Sequence, residues 1–152
     1  MAKQGMTPTT PPLSMIYAFR AALDMIVEEG IERVWNRHRR LGAISREGLE
    51  AAGLQLFARK GYESDSVTAF LPPEDVSAEE ILKTLRRDYG VEAQGGQAHL
   101  ADRLIRLGHM GWVHESEIQD AVGAITDIRT RLGADSIARD RSPTGIPGRA
   151  TA

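Results

Sequence analysis

The first third of the chain carries an apolar pattern of helical spacing, and one glycine interrupts it. Apolar residues recur every three or four positions over residues 16–26 and again over residues 31–49, with Gly30 between the two stripes. Gly53 follows the second stripe, in the position of a glycine C-cap. The pattern therefore predicts two consecutive long helices, and every other element must fit into what remains of the chain.

After Gly53 the apolar runs are short and are bounded by glycine or proline, which is typical of strands in a small sheet. Strands are predicted over residues 54–58, 67–71, 91–93 and 104–107. Ser77 with Glu80 and Ser116 with Gln119 have the spacing of capping boxes, and each pair precedes an apolar stripe of helical period. Two further helices are therefore expected to begin at these serines.

This order of elements indicates the fold class. Strands and helices do not alternate long enough for a doubly wound sheet, so the prediction is an α+β domain. A small, mainly antiparallel sheet of three to four strands would be covered by helices and preceded by the long helical pair. We expect residues 1–12, which contain three prolines, to form an extended arm. Residues 13–138 would form the domain, and the polar residues 139–152 a disordered tail.

Composition excludes several classes of function. The chain has 152 residues and no cysteine, which excludes disulfides, thiolate zinc sites and iron–sulfur clusters. Its four histidines lack metal-ligand spacing, so no metal site is expected. A formal charge of -2 argues against general nucleic-acid binding. No apolar run is long enough to span a membrane and no signal core is present, so a cytoplasmic location without a membrane partner is expected.

Arg106 is the strongest candidate for a binding residue, because it lies in an apolar strand directly before a Leu-Gly pair. A guanidinium can hold a carboxylate through two parallel hydrogen bonds, although a charge on the solvent face of a strand is the commoner case. Gly95 and Gly96 could let a ligand approach the backbone, or could simply form a turn. His109 could touch a ligand, whereas His38 lies on an apolar helical stripe and is interpreted as a packed residue.

Three segments together resemble the class V aminotransferases, in the alanine–glyoxylate and serine–pyruvate branch. The segments have the order and spacing of that family's C-terminal part, and the likeness covers residues 5–132. They are Thr7-Pro8-Thr9-Thr10-Pro11-Pro12-Leu13-Ser14 with Tyr17 to Leu23 behind it, Glu28-Glu29-Gly30-Ile31-Glu32-Arg33-Val34-Trp35 with Arg37-His38, and Gly95-Gly96-Gln97 followed by Arg106-Leu107-Gly108-His109-Met110-Gly111.

The resemblance implies a fold type I enzyme that uses pyridoxal 5'-phosphate, works as a homodimer and moves an amino group between a small amino acid and a 2-oxo acid. It implies that Arg106 holds the substrate carboxylate and that Thr10 contacts the cofactor phosphate across the dimer interface. Thr7 stands where many relatives have a tyrosine, and this departure weakens the case for a phosphate contact there. Gly95 and Gly96 would lie near the mouth of the active site.

The resemblance also implies a missing partner. Family members carry the lysine that forms a Schiff base with the cofactor in a large domain, which precedes the segment around Thr10. The lysines of this chain are Lys3, Lys60 and Lys83, and none stands in that context. We therefore expect no catalytic residue here, no cofactor bound to this chain alone and no activity without the large domain. A free-standing small-ligand-binding or dimerisation module is the alternative, and the amino donor and acceptor stay open.

Overall fold

A computed structural model of the chain describes residues 9–74 and 76–140, with side chains described as far as residue 132. Within these residues four α-helices and three strands follow one another, with a π-helical turn after α3 and a short 3-10 turn before β3. Their bounds are α1 Leu13–Glu29, α2 Ile31–Ala51, β1 Val67–Phe70, α3 Ala78–Thr84, β2 Gln94–Gly95, β3 Ile105–Gly108 and α4 Glu115–Asp140. The chain divides into two units, residues 1–37 and 38–152.

The first unit contains α1 and the beginning of α2. Gly30 separates the two helices with a φ of 87°, a left-handed conformation that a side chain would strain. None of the 17 residues of α1, all of which the structure describes, is buried. The predicted helical pair is confirmed, and the large apolar side chains of α1 are exposed on more than one face of the helix. The exposed apolar side chains of α1 include Met15, Ile16, Tyr17, Phe19, Leu23, Met25, Ile26 and Val27.

The joint at Gly30 is held by charged groups. Both Nε and Nη2 of Arg37 donate to the carboxylate of Glu29, at 2.7 and 2.9 Å, and the two side chains are partly buried. Arg33 adds a hydrogen bond from its Nε to the backbone carbonyl of Glu29. A bidentate arginine–carboxylate pair fixes geometry as well as charge. The direction of α1 relative to the first turns of α2 is therefore held by these contacts.

The second unit is built on an antiparallel sheet with the strand order β1–β3–β2. In the pairing of β1 with β3, Thr68 lies opposite Leu107 and Ala69 lies opposite Arg106. β2 pairs with the other edge of β3, where Gln94 lies opposite Arg106. Because side chains alternate between the faces of a strand, Ile105 and Leu107 point to one face and Arg106 to the other.

Helices cover the face that carries Ile105 and Leu107. The core joins this face to the C-terminal part of α2, to α3 and to α4; its buried members include Leu49, Phe70, Ile81, Leu85, Ile105, Leu107, Ile125 and Ile128. α2 ends in a Schellman motif, since Leu54 N donates to Leu49 O and Gly53 N to Glu50 O, with a φ of 72° at Gly53. The predicted α+β class, with a small antiparallel sheet under helices, is thus confirmed.

The bounds of the short strands differ from the sequence prediction. Residues 54–58 form one isolated bridge, between Leu56 and Phe70, rather than a strand. β2 lies at residues 94–95 instead of 91–93, and β3 is displaced by one residue from the predicted 104–107. Strand bounds depend on which backbone groups find a partner across the sheet, and apolar content does not report that.

The two predicted capping boxes have different outcomes. Ser77 caps α3, because its Oγ accepts a hydrogen bond from Glu80 N at 3.1 Å. The prediction at Ser116 is wrong, since α4 begins at Glu115 and Ser116 lies inside its first turn. At this helix Glu117 reaches back and accepts from His114 N at 2.8 Å. The same helix continues to Asp140, two residues into the predicted tail, and residues 141–152 lie outside the described part of the chain.

Candidate functional site

Arg106 lies on the sheet face opposite the helical core, between Ala69 of β1 and Gln94 of β2. The residue is half-buried, and its Nε donates to Gly95 O at 3.0 Å. No carboxylate of the described residues pairs with this guanidinium, and its two Nη atoms have no hydrogen-bond partner among them. A guanidinium held at Nε and open at both Nη atoms can bind a planar anion through two parallel hydrogen bonds.

Close backbone packing explains why residues 95 and 96 are glycines. A Cβ built on Gly96 would lie 2.0 Å from Leu100 O, and one on Gly95 would lie 3.2 Å from Ala101 O. Gly96 N also donates to Leu104 O at 2.8 Å, which extends the contact between β2 and β3. The two glycines therefore bring residues 98–104 against β2, and Gly95 offers the carbonyl that holds Arg106. Gly95 ends strand β2 and Gly96 directly follows it, so the two glycines lie at the edge of the sheet and not in a turn.

The remaining predicted cofactor contacts lie in the N-terminal segment. Thr10 is exposed, and Pro11 and Pro12 separate it from Leu13, the first residue of α1. Thr7 lies outside the described residues. Thr10 belongs to the first unit and Arg106 to the second. The prediction that Thr10 contacts a phosphate stays a prediction.

The histidines that the sequence left open have distinct places. His109 is fully buried, and both of its ring nitrogens have hydrogen-bond partners within the protein, Thr68 and Asp65. His38 is half-buried, and its Nε2 accepts a hydrogen bond from Gly111 N at 3.1 Å. The interpretation of His38 as a packed residue agrees with this position. No sequence motif marked Thr68 or Asp65 as partners of a histidine.

Both described lysines lie on the surface. Lys60 is exposed in a turn, and Lys83 is exposed on α3, where its Nζ lies 2.7 Å from Glu79 Oε1. Lys3 lies outside the described residues.

Within residues 9–74 and 76–140 no cluster of His, Asp and Glu could hold a metal ion. No described helix is both long and apolar enough to cross a bilayer.

Comparison with known proteins identifies the family. Residues 3–114 match the profile described as aminotransferase class-V, which is most of the chain. The chain belongs to the class V aminotransferase family. An uncharacterised aminotransferase of Methanocaldococcus jannaschii is 39% identical over 127 residues, which are 84% of this chain and 33% of that protein. The serine–glyoxylate aminotransferase of Methylorubrum extorquens is 38% identical over 119 residues, 78% of this chain and 30% of its own length.

Solved structures agree with this membership of the class V aminotransferases. The crystal structure of alanine–glyoxylate aminotransferase from Nostoc sp. superposes with a TM-score of 0.76 at 28% identity, and the match covers 81% of this chain and 33% of that one. The fold of this chain is therefore that of part of a class V aminotransferase. It spans about a third of the length of the relatives it matches.

Proposed function

We propose that this chain is the C-terminal small domain of a pyridoxal-phosphate-dependent class V aminotransferase. The complete protein would move an amino group between a small amino acid and a 2-oxo acid such as glyoxylate or pyruvate. Family membership supports the reaction class, and the names of the serine–glyoxylate and alanine–glyoxylate relatives support glyoxylate as an acceptor. The observation that carries the proposed site is the half-buried Arg106, whose two Nη atoms are open.

Arg106 would bind the substrate carboxylate. The bond from Nε to Gly95 O removes the freedom of the guanidinium to rotate, so less entropy is lost when a substrate binds. Partial burial on the sheet strengthens its attraction for an anion compared with a fully solvated arginine. Arg106 would thereby orient the amino acid or oxo acid. Groups outside this chain would act on the reacting carbon of the substrate.

The described residues fit the substrate end of such a site and lack its reactive amine. When bound, pyridoxal phosphate supplies the aldehyde that takes up the amino group and the ring that withdraws electrons. Thr10, exposed ahead of α1, would donate its hydroxyl to the cofactor phosphate of the other subunit in a homodimer. Lys60 and Lys83 are unsuited to hold the cofactor, so the chain alone would neither bind it nor transaminate.

The uncovered helix α1 supports a larger protein. A helix that is apolar on several faces is normally buried inside a protein, yet no residue of α1 is buried here. The relatives are about three times as long as the segment they share with this chain. A large domain that carries the missing lysine would cover this helix. The same exposed surface also favours the second candidate, a free-standing module that dimerises through α1.

The decisive observation is the coding region that flanks this segment. We expect an in-frame large domain upstream with a lysine in the family context, and its absence would refute the proposal. With that domain restored, Arg106→Gln should raise the KM for glyoxylate about 10- to 100-fold, because a charged hydrogen bond contributes about 1.5–3 kcal/mol.

Arg103→Gln is the matched control for this substitution. Arg103 is an exposed arginine in the turn before β3, and its backbone N donates to Leu100 O. The KM of this variant should equal that of the unmodified enzyme. Equal effects of the two substitutions would indicate that general positive charge, and not a clamp at Arg106, attracts the substrate.

A further inference from the structure

His109 continues the alternation of β3 one residue beyond the end of the strand. Ile105, Leu107 and His109 are buried on the core face, whereas Arg106 and Gly108 are not buried. The histidine has no exposed surface at all, which is unusual for a side chain that can carry charge. A fully buried polar ring must be satisfied by hydrogen bonds, and these bonds limit where the end of β3 can lie.

Three hydrogen bonds tie His109 to the beginning of β1. Its backbone N donates to Ser66 O at 2.9 Å. Its Nδ1 lies 3.1 Å from Asp65 O, a carbonyl that can only accept, so Nδ1 carries the proton. In the neutral ring Nε2 then accepts from the hydroxyl of Thr68, at 2.9 Å. All three partners lie within four consecutive residues, so the ring and the backbone together bind one short segment.

Helix α2 packs against the imidazole ring of His109. Gly42 faces the imidazole so closely that a Cβ added there would lie 3.2 Å from His109 Cε1. That distance is tighter than ordinary van der Waals contact, so the ring packs directly on the helix backbone. His109 is therefore held between α2 and β1 in one orientation.

This arrangement contributes to the register of β3, and the register decides the face to which Arg106 points. A slip of β3 by one residue would exchange the two faces of the strand and turn the guanidinium toward the core. Such a slip would also separate His109 from Asp65 and Thr68 and leave buried polar atoms without partners, at a cost of about 1–3 kcal/mol each. The hydrogen bonds of His109 are thus satisfied only in the register that pairs Ala69 with Arg106.

We infer that His109 is a positioning residue, which fixes the end of β3 and thereby aims the Arg106 guanidinium away from the core. The inference rests on the proposed function in one respect, because the orientation of Arg106 matters for function only if its guanidinium binds a carboxylate. The role of His109 itself is a property of this chain and can be measured without substrate.

The test follows the Nε–H resonance of Arg106 by NMR in the isotope-labelled full chain. In the unmodified chain the bond to Gly95 O should protect this proton from exchange with water. His109→Leu, which makes neither ring hydrogen bond, should lose that protection while circular dichroism shows the helices intact. His109→Asn can still donate to Asp65 O and His109→Gln can still reach Thr68, so each should restore part of the protection.

Unchanged Arg106 protection in folded His109→Leu would overturn the inference, as would a failure of both conservative variants to exceed His109→Leu. If His109→Leu does not fold, the protection of Arg106 Nε–H in the Asn and Gln variants is compared with that in the unmodified chain. Full protection in both variants would overturn the inference. The KM of the Arg106→Gln enzyme tests the carboxylate clamp separately. The two results can therefore fail independently of each other.

Discussion

At the scale of single residues, Gly96 has the least space for a side chain among the described glycines. A Cβ there would lie 2.0 Å from Leu100 O and 2.5 Å from Leu100 C, both backbone atoms that cannot rotate away. We expect Gly96→Ala to lower the free energy of unfolding by about 3 kcal/mol, since residues 98–104 would have to move off β2. Urea denaturation of the chain measures this change.

Gly108→Ala is the control for that substitution, because nothing lies within 4 Å of a Cβ built on this glycine of β3. Its free energy of unfolding should stay within about 0.5 kcal/mol of the unmodified chain. A Gly96→Ala chain as stable as Gly108→Ala would show that residues 98–104 do not pack on β2 as described.

His109 should make the stability of the chain depend on pH. Burial lowers the pKa of His109 from its ordinary 6.5, and Arg46 and His38 lower it further, whereas the hydrogen bond to Asp65 O and the Asp65 carboxylate act in the opposite direction. As the pH falls, His109 is therefore protonated at a higher pH in the unfolded chain than in the folded chain. Stability is therefore complete above about pH 7 and falls as the pH decreases, by at most about 1.4 kcal/mol per unit from this residue.

Urea midpoints at several pH values between 5 and 7.5 measure this dependence, and His109→Gln is the control because its amide does not titrate. The slope of the unmodified chain should exceed that of the variant within this interval. Identical slopes would mean that His109 takes up its proton equally in the folded and unfolded chains, contrary to its burial.

Arg106 and His109 show what residue patterns can and cannot predict. Arg106 interrupts an apolar run, so the sequence singled it out, but whether its Nη atoms are open depends on its neighbours in the sheet. The partners of His109 are 41 and 44 residues earlier in the chain, at Thr68 and Asp65. Contacts over that separation leave no periodic signal, which is why the sequence could not find them.

At the scale of elements, the starts of α3 and α4 provide a matched pair. Ser77 and Ser116 both have capping-box spacing in sequence, yet only Ser77 lies at the N-cap position. Ser77→Ala should lower the free energy of unfolding by about 1 kcal/mol, because Glu80 N loses its acceptor. Ser116→Ala should have almost no effect, and urea denaturation of both variants measures the difference. Equal losses would contradict the described start of α4.

The helices of this chain could be predicted more accurately than its strands. A stripe of period 3.6 repeats over several turns, so α1, α2 and α4 were found from many residues each. The strands have four residues or fewer, and their bounds are set by hydrogen bonds across the sheet. Residues 54–58 illustrate this, because Phe57 N donates to Ala69 O and Leu71 N to Gln55 O while a continuous ladder does not form.

At the scale of the whole molecule, the uncovered α1 predicts association. Exposed apolar side chains on one helix form a surface of the kind that marks interfaces, so the isolated chain should self-associate at micromolar concentrations. A double substitution of Ile16→Glu and Phe19→Glu should return it to a monomer in analytical ultracentrifugation. The large domain of the proposed complete enzyme should have the same effect, since it would cover this surface.

Arg20→Glu on the same helix serves as the control, because Arg20 is polar and forms its exposed ion pair with Asp24. This variant should associate as the unmodified chain does. A monomeric unmodified chain would contradict the assignment of α1 as an interface, and it would weaken both the dimerisation module and the proposal that a large domain covers the helix.

The ion pair between Arg37 and Glu29 has a thermodynamic consequence for any binding through α1. Because both side chains are partly buried, the bidentate contact limits the movement of α1 about Gly30 before anything binds to it. A protein that docks on α1 therefore meets a rigid target and loses little conformational entropy in the process. Glu29→Gln should consequently slow association and weaken affinity, although Glu29 lies at the very end of the apolar surface.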